Sequence, residues 1–344
     1  MAEVVYDMPR INVVELTEDQ YEAWDRLVED SPQGTIFHKS SWLTTCSGLL
    51  KQQFKILGCF QDDALVAGCS FFTRTIGGFL KLASSVCTMT PYGGIVLCQP
   101  ATSRQRQQEA SQRASIELMC QSIAAYGFDR VQLINSPGLV DIRPFTWNGW
   151  RSRVLYAYCL DTDVDFEDHV SSKAMSHIRR AMKAGIITRK SDDLGSYCRL
   201  FAMTFERQGL KPPVAETFLA RMFDLLKTQQ CGEMWVAETA SGETASAEIL
   251  VWDNKRAYAW SAVSDTQLRK TGAASLLLHR EFHELKGRGT REYNLMSANI
   301  PSLASFNSSF NPRLVPYYEV EDYNLKFDFA RRIAMSLKRI SHEG

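Results

Sequence analysis

The chain lacks net charge, since 39 lysines and arginines are matched by 39 aspartates and glutamates. No global field therefore draws it to nucleic acid or to an anionic membrane, and any polyanion site must be a local patch. It also lacks a run approaching the roughly 20 apolar residues that cross a bilayer. The opening "MAEVVYDMPRINVVEL" carries early acids and no apolar secretory core. Finally, it lacks any Cys-x-x-Cys pair. Its nine cysteines, an odd number, are scattered from Cys46 to Cys231, most of them inside apolar runs such as "LGCFQDDALVAGCSFF". Metal-ligand spacing is absent, and free thiols packing as small hydrophobes suit a reducing cytosol. A cytoplasmic protein is expected, with no integral membrane association and no DNA partner.

What is present reads as globular. The 45% apolar and 23% charged composition is ordinary for a packed protein, and 344 residues exceed the usual single core, so two domains are expected. Thr17, followed by Glu18 and Asp19, reads as a helix N-cap, and Ser31-Pro32-Gln33-Gly34 as its stop. "FKILGCFQDDALVAGCSFF" reads as a hairpin, residues 104–126 as a long amphipathic helix, and "DRVQLINSPG" as a strand. The second half repeats that order with the hairpin "EMWVAETASGETASAEILVW", the strand "RAYAWSAVS", the helix "GAASLLLHREFHELKGRG" and the strand "REYNLMSAN". Gly127–Ser136 lies over Gly289–Ala298, each following a long helix and ending in small polar residues, so a duplication is expected. Residues 138–165 are aromatic and apolar and read as a packed strand joining the halves. The expected architecture is α/β (α+β): a domain over 1–150, a related one over 151–325, each a mixed sheet flanked by helices, and an amphipathic helix over 326–344 docked on the body.

The sharpest chemical signal follows the strand "RAYAWSAVS". There Arg269, Lys270, Thr271, Gly272, Ala273 and Ala274 lead directly into an apolar helix. A small-residue loop at a helix N-terminus presents backbone N–H groups that favour phosphate, and two cations strengthen it. The pattern matches the Arg/Gln-x-x-Gly-x-Gly/Ala pyrophosphate loop of GNAT acetyltransferases. His279 and His283 lie four apart on the next helix. Glu281 is misplaced for a His-Glu-x-x-His zinc motif and the sequence offers no third ligand, so no metal is expected. Lys173, Arg179, Arg180 and Lys183 form a basic helix face, read as solvated.

The stretches "GTIFHKSSWL", "DIRPFTWNGW", "HIRRAMKAGI", "MTFERQGLKPP" and "YNLMSANIPSLASFNSSFNPRLVPYYEVE", taken in order over residues 15–320, resemble the FemAB-type branch of the GNAT superfamily, including its BioF2-like (GNAT-6) acetyltransferases. The resemblance implies tandem GNAT domains that move acyl or aminoacyl groups to an amine. In the aminoacyl-transferring branch the last motif resembles Phe-Lys-x-x-Phe-Gly. This chain has Phe306-Asn307 instead, and the Asn307 amide can donate to an oxyanion but cannot supply a cation. That departure, with the Arg269–Ala274 loop, favours acyl-CoA as co-substrate over aminoacyl-tRNA. The resemblance places Arg207, Lys211 and Tyr258 at the acceptor, a small-molecule or peptide amine, with Phe306 beside the substrate, and Lys39, in the loop of "FHKSSW", is a further substrate-binding candidate. Glu248 and Asp265 are the candidate bases, and attack is expected to be direct, because no Cys-His or Ser-His-Asp set is apparent. The alternatives are transfer from aminoacyl-tRNA onto a peptidoglycan-like or peptide acceptor, and a degenerate transferase that binds without turnover.

Overall fold

The computed structural model describes residues 11–99 and 104–343, which divide into two compact units, one of the described residues up to 154 and from 317 on, the other of residues 155–316. The first unit begins with β1 (Ile11–Glu15). A capping box between Thr17 and Gln20 starts a short 3-10 turn that continues into α1 (Tyr21–Asp30), which buries Trp24, Leu27 and Val28 at helical spacing. Then come α2 (Ser40–Leu50), β2 (Gln53–Gln61), β3 (Ala64–Ile76), β4 (Leu80–Ser84), β5 (Gly94–Leu97), α3 (Gln105–Ala124), β6 (Arg130–Ile134), α4 (Arg143–Trp147) and β7 (Arg151–Asp161). The chain enters the second unit along β7. That unit holds α5 (Phe166–His169), α6 (Ser172–Lys183), β8 (Ile187–Lys190), α7 (Leu194–Glu206), α8 (Glu216–Thr228), β9 (Gly232–Glu238), β10 (Thr244–Trp252), β11 (Arg256–Ser264), α9 (Ala273–Gly287), β12 (Glu292–Ser297) and α10 (Pro301–Asn307). The last elements are β13 (Arg313–Tyr323) and α11 (Leu325–Glu343).

In the first unit the strand order is β1-β2-β3-β4-β6-β13. Long β3 carries β4 against residues 72–76 and β5 against residues 67–70 of the same edge, so β4 and β5 act as one interrupted strand. The apolar face of α3, with Ile116, Met119 and Ile123, closes a core with Leu57, Phe71, Val131 and Leu133. In the second unit the order is β7-β12-β11-β10-β9-β8. There α6 and α9 pack Ile178, Leu277 and Phe282 in one core with Leu250, Tyr293 and Leu295. All nine cysteines are free, and among the described residues no helix is long and apolar enough to cross a membrane.

Three features depart from the sequence reading. The strand β13 reads as nothing in particular from its composition, yet from Tyr317 on it belongs to the first unit, because Glu319–Tyr323 pair with Ile134–Arg130. The joining segment 138–165 is not one strand, since Pro144 opens the short helix α4 before β7 begins. And α11 is not docked along its length. Lys326 reaches Asp129 and Phe327 lies under Arg130, but Phe329, Ile333 and Met335 are exposed.

Candidate functional site

The site grows from the only parallel strand pair of the second unit's described residues. Arg256, Ala257 and Tyr258 of β11 register with Glu292, Tyr293 and Asn294 of β12, and there the pairing stops. Both strands carry an extra residue within two positions of the last rung. On β11, Ser261 and Ala259 register with adjacent Ile249 and Leu250, so Trp260 is bulged. On β12, Asn294 and Met296 register with adjacent Cys159 and Tyr158, so Leu295 is bulged. An extra residue bends a strand and raises its twist, and two of them at one level turn the strands apart. Asn294 stabilises its bulge by accepting from the Met296 N–H at 2.8 Å. Met296 and Ser297 then take left-handed backbones, φ 54° and 44°. The result is a notch between the ends of β11 and β12, where the ladder between the two strands has ended.

The loop after β11 sits at the mouth of that notch. Asp265 is buried, its N–H donates to the Ala245 carbonyl at 2.9 Å, and its carboxylate accepts from the N–H groups of Gln267 and Leu268 at 2.7 and 3.3 Å. Arg269–Thr271 make one 3-10 turn, and Gly272 caps α9 with φ +88°. Only glycine fits here, for a Cβ at 272 would lie 2.2 Å from the His177 carbonyl oxygen of α6. Arg180 of α6 donates to the Lys270 carbonyl. Around the start of α9 therefore gather the exposed Arg269 and Lys270 and, from α6, Lys173, His177 and Arg180. Burial, and then the charges of Arg180 and Lys173, depress the His177 imidazole below its usual range. The field at this helix N-terminus is positive and suits a diphosphate.

Beneath the paired part of the strands lies a buried acidic cluster. Glu248 of β10 is 6% exposed and Glu281 of α9 is fully buried. The Tyr293 hydroxyl is set between them, 3.3 Å from Glu248 and 3.0 Å from Glu281. Burial pushes the Glu248 carboxyl up to about 7. Burial, and then the Glu248 charge, hold Glu281 well above the carboxylate range. Two carboxyls this close cannot both ionise at low dielectric, so the pair keeps at least one proton near neutrality.

The remaining sequence candidates are dispersed. Arg207, at the C-cap of α7, donates to Thr266 of the loop after β11 at 3.1 Å, and Lys211 is exposed in the segment after it. Tyr258 is buried in the closed part of the sheet with its hydroxyl on Asp253 at 2.9 Å. Asn307 is buried and donates to the Leu295 carbonyl at 3.2 Å, tying α10 to the bulge of β12. Phe306 packs edge-on against Phe310. Lys39 belongs to the first unit, where its ammonium binds Glu29 and the Asp25 carbonyl.

Three features escaped the sequence reading. Tyr197 of α7, fully buried, donates to Ser261 beside the β11 bulge. Glu281 and Tyr293 complete the cluster around Glu248. Glu167 of α5 supplies a third ligand-type atom beside His279 and His283, all within 4.8 Å of one another, which removes the ground on which no metal was expected. None of these pairings has a spacing that a linear pattern reveals.

Residues 170–301, from just after α5 to the start of α10, match the family model for the acetyltransferase (GNAT) domain. No curated protein matches the sequence. Among solved structures the chain is similar to FemX, with 12% identity, a TM-score of 0.69 and coverage of 94% of this chain and 99% of that one. It is also similar to L-PGS from Bacillus licheniformis (12% identity, TM-score 0.54, 93% and 96% covered). A tandem GNAT protein from the clavulanic acid biosynthesis pathway is similar at 12% identity and TM-score 0.52, with 91% and 98% covered. At such identities the likeness is one of fold, and it covers 91–94% of this chain. Residues 170–301 thus carry a GNAT-type acetyltransferase domain by similarity, and the chain shares its fold with FemX and with a tandem GNAT protein.

Proposed function

We propose that the chain moves an acyl group from acyl-CoA to the amine of a small-molecule or peptide acceptor. The observation that carries this reading is the opening of β11 from β12 directly before a glycine-capped helix start ringed by cations. Arg269, Lys270 and the first N–H groups of α9 would hold the CoA diphosphate. The thioester would lie in the notch, polarised by backbone donors. The neutral acceptor amine attacks the thioester carbonyl, the tetrahedral intermediate collapses, and the CoA thiolate leaves while the amine proton passes to a base. Glu248 is proposed as that base through water, since a carboxyl near 7 is matched to the task. Asp265, whose carboxylate is committed to the loop's own N–H groups, is a positioning residue instead. Asn307 is proposed to set the β12 bulge, and Arg207 to meet an anionic part of the substrate beside Thr266. Domains bounded near residues 154 and 317, with the donor loop in the second, fit this division of labour.

The exposed cations of α6, Lys173, Arg179, Arg180 and Lys183, favour one second reading, in which the donor is aminoacyl-tRNA. Thermal unfolding with CoA and acetyl-CoA, beside a tRNA titration at several salt concentrations, separates them. A rise in Tm with CoA that Gly272→Glu abolishes is the expected result. No CoA response with tRNA binding that falls steeply in salt supports the second reading. No response to either leaves a binding module without turnover.

A further inference from the structure

Away from the notch, on the outward side of α9, three ligand-type atoms converge. His279 and His283 lie one turn apart on that helix, and Glu167 comes from α5, 112 residues earlier in the chain. Glu167 Oε1 is 2.9 Å from His279 Nε2 and 3.3 Å from His283 Nε2, and the two Nε2 atoms are 3.1 Å apart. A tetrahedral ion bound at about 2.0–2.1 Å needs its ligand atoms roughly 3.3 Å from one another, so this triangle already has near the required size.

The chemistry of the three atoms points the same way. An ionised carboxylate only accepts, and a neutral imidazole with its proton on Nδ1 also presents a lone pair at Nε2. Three lone-pair atoms this close repel unless a proton or a cation lies between them. The local charge suits a cation, because Asp163, Asp165 and Asp168 are exposed around Glu167. Lys286, one turn further along α9, is engaged by the Val164 carbonyl at 2.8 Å. The side chains are accessible, His279 at 17%, His283 at 36% and Glu167 at 48% exposure, which leaves room for water as a fourth ligand. Imidazole with carboxylate is a donor set for zinc and its neighbours rather than for calcium or magnesium.

We infer that Glu167, His279 and His283 form a site for a divalent transition cation of the zinc class, which fastens α5 to α9. A four-residue helix such as α5 has little stability of its own. Phe166 beside Glu167 packs edge-on to the His279 ring at 5.1 Å and against Phe282, so the ion would close a contact that packing has already begun. The site is remote in role from the donor loop, and it stands or falls independently of the donor's identity.

The test uses the full chain without a histidine tag, stripped with chelator and titrated with zinc chloride and cobalt chloride. The expected result is one zinc per chain, a rise in Tm with zinc, and visible absorption of tetrahedral type with cobalt. Glu167→Gln and His283→Gln, both at accessible positions, should fold normally and each weaken zinc binding more than about tenfold. Zinc binding that Glu167→Gln leaves unchanged would reduce the site to an ordinary helical histidine pair and overturn the three-ligand assignment. So would the absence of stoichiometric binding in the wild-type chain, with Tm unmoved by zinc and changing only with pH.

Discussion

The two units treat the same strand junction in opposite ways. In each, a long helix ends at a glycine with positive φ, Gly127 or Gly289, and leads into a strand that pairs in parallel for three residues. Leu82–Ser84 pair with Arg130–Gln132 in the first unit, and Arg256–Tyr258 with Glu292–Asn294 in the second. Beyond that point the first unit is stitched shut. Asn135 accepts from the Ile95 N–H at 3.1 Å and donates to the Tyr318 carbonyl at 3.2 Å. Ser85 accepts from the Ile134 N–H at 2.8 Å, and Gly93 bridges to Asn135. Gly94, at φ +85°, leaves the room, since a Cβ there would lie 2.4 Å from Asn135 Oδ1. In the duplicated register Asn135 falls on Ser297, whose side chain is too short to span, and both flanking strands bulge away. One carboxamide thus separates a closed structural junction from an open one, and the open one is preceded by the glycine-capped loop. The helix of the first unit starts instead at Arg104 with φ −80°; residues 100–103 lie outside the described part of the chain.

The largest effect should come from damaging the open junction at its entrance. Gly272→Ala must force both an unfavourable φ and a backbone clash. We expect a loss of about 1–3 kcal/mol or more in urea unfolding together with loss of the CoA-dependent rise in Tm. The same CoA response surviving in Gly272→Ala would detach the loop from donor binding.

Next is the acidic cluster that underlies the open junction and has no counterpart among the first unit's described residues. The Glu248 carboxyl is raised from 4.5 to about 7 in the folded state. Its contribution is therefore fully present below about 4.5 and is lost as pH climbs through about 7. Stability should fall by on the order of 2–4 kcal/mol between pH 5 and pH 8 from this source. Glu248→Gln should flatten that dependence in unfolding experiments read at both pH values. If Glu248 is the base, the same variant loses turnover while gaining stability at pH 8. Turnover unchanged in the more stable variant would assign the cluster to structure alone.

A smaller effect is expected at the closed junction. Asn135→Ser installs the residue of the open unit and strands the Ile95 N–H and the Tyr318 carbonyl, at a cost of about 1–3 kcal/mol. CoA binding should be untouched. The reciprocal Ser297→Asn should fold well, because asparagine tolerates the left-handed backbone, and should weaken CoA binding. Equal CoA affinity in Ser297→Asn would mean that the notch end is not where the donor lies.

Much of this was legible in the chain. The β11 strand runs over Arg256–Ser264 as alternation predicts, α3 and α9 follow their apolar periodicity, and Thr17 caps where its capping box says. The glycine-capped turn before α9 was legible because strand, glycine and helix are neighbours in sequence. Elements whose partners are distant were not. β1 and α2 have too few local signals to stand out, β13 is half polar, and the partners of Glu248 lie 33 and 45 residues away.

The residues alone determined local conformation, the duplication and the glycine at the mouth of the site, because each depends on φ preference, periodicity and neighbours a few positions apart. Tertiary structure decided which unit takes β13, which of two like junctions opens, and which ionisable groups meet. Those outcomes depend on strand register and on two one-residue bulges. A bulge has no composition of its own and exists only relative to a partner strand.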